Sequence, residues 1–456
     1  MQLTPNILSS TRPEPVERTL ASLKRFIKSQ VIGSVILLIC ALVALIWANS
    51  PFSHSYFEIW ETDIVLSVGT WSLSMTVHQW VNEGLMMAFF LIVGLEVKEQ
   101  VLVGELSSIR RAMLPVAAAI GGMVVPALIF ALVNTGAEGS SGWGIPMSTD
   151  IAFALGILAL LGNRIPLSLK VFLAALAIAD DIGAIAVITV FYTDSIEVTG
   201  ILIALAFWLA IFALGRVGVF NGLIYFALSC GVWFGFTVSG IHATIAGVLV
   251  AIAIPAHSLI DPESSLRRLI KRLDPNRMEG RKLLHDHEQK EIMHDLSEVV
   301  HDIEPPLTQL EHSLQPWVTF VVMPLFALSN AGVVISGDLG ETLTSPVSLG
   351  VILGLVVGKP LGITLFTWLA VRLNICDLPR GLTLLHIQGV SMLAGIGFTV
   401  ALFITELAFI GDHHLADTAK IGIIFASLLM GIAGYLFLRY VALRDVPESE
   451  PVSTTT

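Results

Sequence analysis

Twelve apolar stretches of roughly twenty residues recur along this chain, at about 31 to 49, 77 to 98, 112 to 134, 139 to 161, 167 to 192, 199 to 215, 219 to 237, 240 to 255, 316 to 335, 347 to 371, 386 to 410 and 419 to 438. At about 1.5 Å of rise per residue, a helix of that length crosses about 30 Å of hydrocarbon. A backbone surrounded by lipid must satisfy its own N–H and C=O groups, so segments of this kind are expected to be helices. The composition agrees: 55% of the 456 residues are hydrophobic, only 13% are charged, and the mean hydropathy is +0.81. The expected fold class is an all-α polytopic membrane protein with about twelve transmembrane helices.

Orientation follows from the basic residues, which collect on the cytoplasmic side of bacterial membrane proteins. With both termini cytoplasmic, 23 of the 25 Lys and Arg residues fall on one face; Lys420 alone falls opposite, and Lys359 lies inside a span. The expected organisation is a cytoplasmic segment at 1–30, spans one to eight over 31–255, a cytoplasmic loop at 256–315, spans nine to twelve over 316–440 and a cytoplasmic tail at 441–456. The first thirty residues lack the apolar core of a cleavable signal, so the first span is expected to be retained. The formal charge of −11 sums over two compartments and says little about partners. Cys40, Cys230 and Cys376 lack ligand spacing and read as packing residues.

Two stretches outside the spans carry pattern. FEIWETDIVLSVGTWSLSMTV alternates around Val68-Gly69-Thr70, which predicts an external hairpin at about 57–76 whose edge could pair with a second copy. The loop at 256–315 holds twelve acidic residues, eight basic residues and six histidines. Within it Ile292, Leu296, Val299 and Ile303 recur at helical spacing, predicting an amphipathic helix. His285, His287, His294 and His301 read better as a solvated helix face than as metal ligands.

Against this apolar background, ionisable groups at membrane depth mark function. Asp180 and Asp181 stand side by side in LKVFLAALAIADDIGAIAVITVFY. Asp180 is about 13 residues past Leu167, roughly 20 Å into its span, and similar arithmetic puts Asp150 and Lys359 in the same layer. The span holding Asp150 is interrupted by Gly142, Gly144 and Pro146, and the eleventh span carries Gly395 and Gly397 at matching depth. Two broken helices in corresponding halves point to a transporter site built from discontinuous, crossing segments. Their ends turn partial charges toward the midplane, where Asp150 and Lys359 have the signs needed to compensate them. Asp180 and Asp181 remain as candidate ligands for a hard cation such as sodium, which prefers carboxylate oxygen. Such a pair titrates as a coupled unit and can hold protons or a cation, the competition an exchanger needs.

The segments PMSTDIAFALGILALLG, LAIADDIGAIAVITVFY, SGIHATIAGVLVAIAIP, QPWV followed by MPLFALSNAGV, VGKPLGITLF and AGIGFTVALFI resemble those of the NhaA sodium/proton antiporters. The resemblance runs from about Phe26 to Arg439, with the loop at 256–315 as the main departure. It implies an inverted-repeat fold, no enzyme activity, no cofactor and no nucleic-acid partner. It also implies electrogenic exchange of cytoplasmic sodium or lithium for more than one external proton, by a homodimer in the bacterial inner membrane, switched on by alkali. Asp181 would be the main sodium ligand, and Asp180 beside it would exchange protons or pair with Lys359; Thr149 and Asp150 would sit at the crossing. The pH-response positions of the family match at Glu96 in GLEVK, His242 in GIHAT, and Glu311 and His312 in LEH. They do not match at Glu99 and Gln100, where Arg and Glu are expected, or at Gln315 in place of His.

Two other classes share some features. A sodium-coupled solute symporter of related fold is the runner-up. An intramembrane aspartyl protease also uses paired aspartates that share a proton. Against the protease, no Gly-x-Gly-Asp stands in a span, and an intramembrane lysine suits an exchanger better.

Overall fold

The computed structural model describes residues 15–68, 71–193, 196–219, 221–256, 305–335, 339–379 and 381–444. Almost all of it is helical. In chain order the elements are α1 (Pro15–Ala48), α2 (Ser53–Glu61), β1 (Asp63–Val68), β2 (Trp71–Thr76), α3 (Val77–Gln79), α4 (Met86–Leu102), α5 (Ile109–Val133), α6 (Ile151–Leu160), α7 (Leu167–Phe191), α8 (Val198–Val217), α9 (Gly222–Ser239) and α10 (Ile245–Ala253). They continue with α11 (Pro306–Trp317), α12 (Met323–Asn330), α13 (Leu339–Thr344), α14 (Pro346–Leu353), α15 (Lys359–Arg372), α16 (Leu384–Ala394), α17 (Phe398–Ala408) and α18 (His413–Arg444).

Among the described residues, seven helical stretches are long and apolar enough to cross a membrane unaided: Val31–Ala48, Ile109–Val133, Leu167–Phe191, Val198–Val217, Gly222–Ser239, Pro346–Arg372 and His413–Arg444. Two more crossings are bent pairs. The 3-10 segment Glu138–Met147 meets α6 at 44°, and α16 meets α17 at 48°. The chain is therefore an all-α, multi-pass membrane protein with two discontinuous helices. The second and ninth apolar stretches form helices that run through π-helical turns, at Trp80–Leu85 and Val318–Val322. The latter turn, and a third at Gly354–Gly358, each stand just before a proline, Pro324 and Pro360. Proline has no N–H to continue the regular ladder, and the wider turn takes up the gap.

Local chemistry explains two differences from the expected layout. The eighth apolar stretch is helical only over Ile245–Ala253, nine residues or about 14 Å, less than half the hydrocarbon thickness. Gly240, at φ 76°, ends α9 in the left-handed conformation, and Pro255 follows α10 directly, so the turn at 240–244 consumes the start of that stretch. The predicted hairpin at 57–76 is a strand pair only from Asp63: β1 and β2 are antiparallel with Val65 opposite Ser74 and Leu66 opposite Leu73. Its first residues belong to α2. Tyr56 and Trp60, one turn apart, are the buried face of that helix, and the Tyr56 hydroxyl donates to the Leu328 carbonyl at 2.7 Å. Thr76 then starts the next helix with a capping box closed by Gln79. The amphipathic helix expected around 292–303 and the loop histidines lie outside the described residues.

The packing that matters most for the site is that of α5 along α15. A Cβ on Gly362 would lie 2.1 Å from the Gly121 carbonyl oxygen, and one on Gly121 would lie 2.3 Å from that of Gly362. No other residue fits at this crossing. It holds Lys359, one turn before Gly362, against the bundle interior rather than the lipid, as small-residue contacts do between membrane helices. Gly362→Val should therefore lower the melting temperature in detergent by several degrees and reduce transport with it; an unchanged melting curve would show that α5 and α15 can separate freely.

Candidate functional site

Each broken helix leaves two ends inside the bundle, where unpaired backbone groups are costly. The first break is made by residues that resist regular helix, Gly142, Gly144 and Pro146, followed by extended backbone at Ser148 and Asp150. The second break, at Gly395 to Gly397, lies against it. The Asp150 N–H donates to the Ile396 carbonyl at 2.7 Å, so the linkers of the two breaks are hydrogen-bonded to each other.

The Asp150 carboxylate holds both helix N-termini that face this point. Its Oδ1 accepts from Phe153 N at 3.2 Å, capping α6, and its Oδ2 accepts from Thr399 N at 3.1 Å and from the Thr399 hydroxyl at 2.6 Å, capping α17. Each N-terminus carries roughly half a positive charge, so one carboxylate balances two of them. On the other side the Thr149 hydroxyl accepts from Lys359 Nζ at 2.8 Å. It also lies within donating distance of two acceptors, Asp180 Oδ2 at 2.6 Å and the carbonyl of Ala394, at the C-terminus of α16, at 3.0 Å.

Lys359 Nζ also reaches Asp180 Oδ2 at 2.5 Å, and both side chains are fully buried. The π-helical turn before Lys359 sets its position. Gly395 makes that possible, since a Cβ there would lie 2.6 Å from the Leu355 carbonyl oxygen within that turn. Neighbours on a helix point about 100° apart, so Asp181 cannot share this arrangement with Asp180. The Asp181 residue is 7% exposed, in the field of Asp180, Glu96, Asp150 and Lys359, and its carboxylate makes no hydrogen bond among the described residues. The second oxygen of Asp180, Oδ1, is likewise buried without a partner there. Three carboxylate oxygens thus remain to take a hard cation or protons.

The structure divides the pH-response residues. Glu96 near the end of α4 and Glu311 on α11 come together with Glu99 before the ninth apolar stretch enters the bundle. Glu311 is buried and its Oε2 has no hydrogen-bond partner among the described residues. Burial, with Glu96 and Glu99 facing it, pushes its carboxyl up to about 8. His312, one residue on, is exposed. His242 is elsewhere, in the turn between α9 and α10, where its Nε2 donates to the Tyr192 carbonyl at 2.5 Å; the Tyr192 hydroxyl in turn donates to the Ser141 carbonyl in the 3-10 segment.

Sequence reasoning passed over Thr399, which lies within the quoted AGIGFTVALFI segment two residues after Gly397 and donates two of the three hydrogen bonds to the Asp150 carboxylate described above. It also passed over Lys98, whose Nζ donates to the last carbonyls of α10, those of Ala251, Ile252 and Ile254. Neither has a signal beyond its place in a motif.

Crossing broken helices over a buried carboxylate and lysine pair, in a multi-pass helical protein, define an ion-translocating secondary transporter. The profile of the Na+/H+ antiporter 1 family matches residues 24–438, and the chain belongs to that family. It is 45% identical to the Na(+)/H(+) antiporter NhaA of Koribacter versatilis, over 93% of this chain and 92% of that protein. Similarity to the Na(+)/H(+) antiporter NhaA of Sulfurimonas denitrificans is 45% over 93% and 97% of the two chains, and to that of Helicobacter pylori 44% over 91% and 95%.

The burial of Lys359 gives a stability prediction. Removing one partner of a buried ion pair strands the other and costs about 3–5 kcal/mol. Lys359→Ala should lower the melting temperature in detergent far more than Lys359→Arg, which keeps a positive charge and should keep part of the activity. Equal melting curves for the three proteins would show that the pair does not hold the crossing together.

Proposed function

We propose that this chain exports cytoplasmic sodium or lithium in exchange for more than one external proton, in the bacterial inner membrane with both termini cytoplasmic. The observation that carries the reading is the unequal treatment of two adjacent aspartates: Asp180 is matched by Lys359 and Thr149, while Asp181 beside it is buried with no partner among the described residues. Asp181, with Asp180 Oδ1, is the cation site; sodium and protons compete for the same oxygens. With every group ionised, the two N-termini balance Asp150 and Lys359 balances Asp180, while Asp181 and the two half-charged C-termini leave about two negative charges at the crossing. Two protons fill that deficit and one sodium ion fills half of it, so the exchange moves net charge. Thr149 and Asp150 keep the two breaks in register while this happens.

Alkaline activation is read from Glu311. A carboxyl raised to about 8 is neutral in this packing at lower pH and ionises next to Glu96 and Glu99 as the pH rises through that value. The sign is that of a destabilising group: the arrangement that buries Glu311 loses stability as pH climbs from its unfolded pKa of about 4.3 toward 8, and any arrangement that separates the three carboxylates gains. His242 and His312 are proposed to modulate the response, one through Tyr192 and the 3-10 segment, the other from the exposed face of α11. Homodimerisation is read from the hairpin, where Ile64, Val65 and Leu66 of β1 are exposed beside an open strand edge.

Asp181→Asn should abolish sodium-dependent proton movement in inverted vesicles while leaving a folded, inserted protein, because the amide keeps the shape but can neither titrate nor neutralise a cation. Exchange at the parent rate, with no organic solute present, would refute the assignment, whereas exchange only with such a solute would favour the symporter. Glu311→Gln imitates the low-pH form at every pH. Its activity should rise later or less steeply with alkali, and an unchanged profile between pH 6 and 9 would remove Glu311 from the response.

A further inference from the structure

Lys420 is the one basic residue that the charge pattern leaves on the external side, and it is buried to within 8% of full cover. It lies in the second turn of α18, and its Nζ meets Glu406 Oε1 at 2.6 Å. Glu406 stands in the last turn of α17, seven residues beyond Thr399, or about 10 Å along the helix. Its other oxygen, Oε2, faces His78 Nε2 of α3 at 3.9 Å. That same nitrogen lies 3.1 Å from Asn330 Oδ1 at the end of α12. Asn330 and Asn82, in the π-helical turn after α3, exchange two amide hydrogen bonds at 2.8 and 3.2 Å. One polar chain, Lys420–Glu406–His78–Asn330–Asn82, thus joins four elements on the external side of the crossing. The other ionisable groups facing it are Asp417, His413 and His414 from α18 and Tyr56 from α2.

α17 is the external half of a broken helix and is held at two points. Its inner end is bound to Asp150, and its outer end is bound through Glu406 to Lys420 of α18, with His78 of α3 facing the other Glu406 oxygen. Alternating access needs one of these half-helices to move against its neighbours, and a half-helix fixed at both ends cannot. The inner contact belongs to the ion site; the outer one touches none of its atoms. We propose that the Lys420–Glu406–His78 cluster is an external latch: it positions α17 so that the path from Asp180 and Asp181 to the outside is closed, and its release admits external protons. This consequence rests on the chain being an exchanger, but the accessibility it predicts is measured without transport, so the two readings can fail separately.

The test uses full-length protein in right-side-out proteoliposomes, with Cys40, Cys230 and Cys376 replaced and one cysteine placed by Val400→Cys, next to Thr399 on α17. A membrane-impermeant, positively charged methanethiosulfonate is added outside. Glu406→Gln and Lys420→Met should each speed labelling by about tenfold, within the range of ordinary couplings between two conformations. The charge exchange Glu406→Lys with Lys420→Glu should return the rate toward that of the parent. A second reporter, Ser391→Cys on α16, labelled from inside, should not respond to the same variants. Parent-like labelling of Val400→Cys in both single variants overturns the latch; equal acceleration at both reporters also overturns it, since that is general loosening. Should the neutral variants fail to insert, Glu406→Asp keeps the charge on a shorter arm, and it must still speed external labelling for the proposal to stand.

Discussion

Four helix ends meet in the middle of this bundle, beside fully or almost fully buried charges, and the architecture depends on how they are matched. Asp150 accepts from both N-termini and its own N–H is tied to the opposite break, so a single residue fixes the angle and depth at which the two broken helices cross. Thr149, the next residue along, reaches the opposite C-terminus through Ala394 and the charged pair through Asp180 and Lys359. Two consecutive residues therefore couple backbone electrostatics to the titrating groups. A change in charge at Asp180 is felt by Lys359 and Thr149 and, through Thr149, by both breaks.

That coupling explains why Asp181 can be left without a partner. A lone carboxylate buried to this degree is tolerated only where something else supplies its charge. In this fold the fixed compensation ends at Asp180, one residue earlier on the same helix, and in the proposed exchange the remainder comes from solution as protons or a cation. The close packing at Gly121 and Gly362 serves the same end from behind. It keeps Lys359 from snorkelling toward lipid headgroups and so keeps the fixed positive charge at the depth of the aspartates.

Much of this was legible in the chain because lipid is a severe solvent. Apolar length marked the helices, and charge at membrane depth marked Asp150, Asp180, Asp181 and Lys359, since each violates the surrounding apolar pattern and all four are buried. Gly and Pro gave the breaks. Contacts between distant segments were not legible. Thr399 looks like any threonine in an apolar helix, and its role exists only because α17 starts beside Asp150. Trp60 sat in a stretch read as strand, because alternation over a few residues cannot be told from one helical turn with a buried face. Glu406 carries no signal of its partner, because nothing local reveals that Lys420, fourteen residues later, folds back onto it.

The charged groups outside the crossing are distributed unevenly, and the unevenness has a physical sense. Around Glu311, Glu96 and Glu99 supply like charge, an arrangement that deprotonation strains. At the end of α17, Glu406 is matched by Lys420 at 2.6 Å, an arrangement of opposite charge. Like charges store a push that grows with pH, and opposite charges supply a restraint to work against.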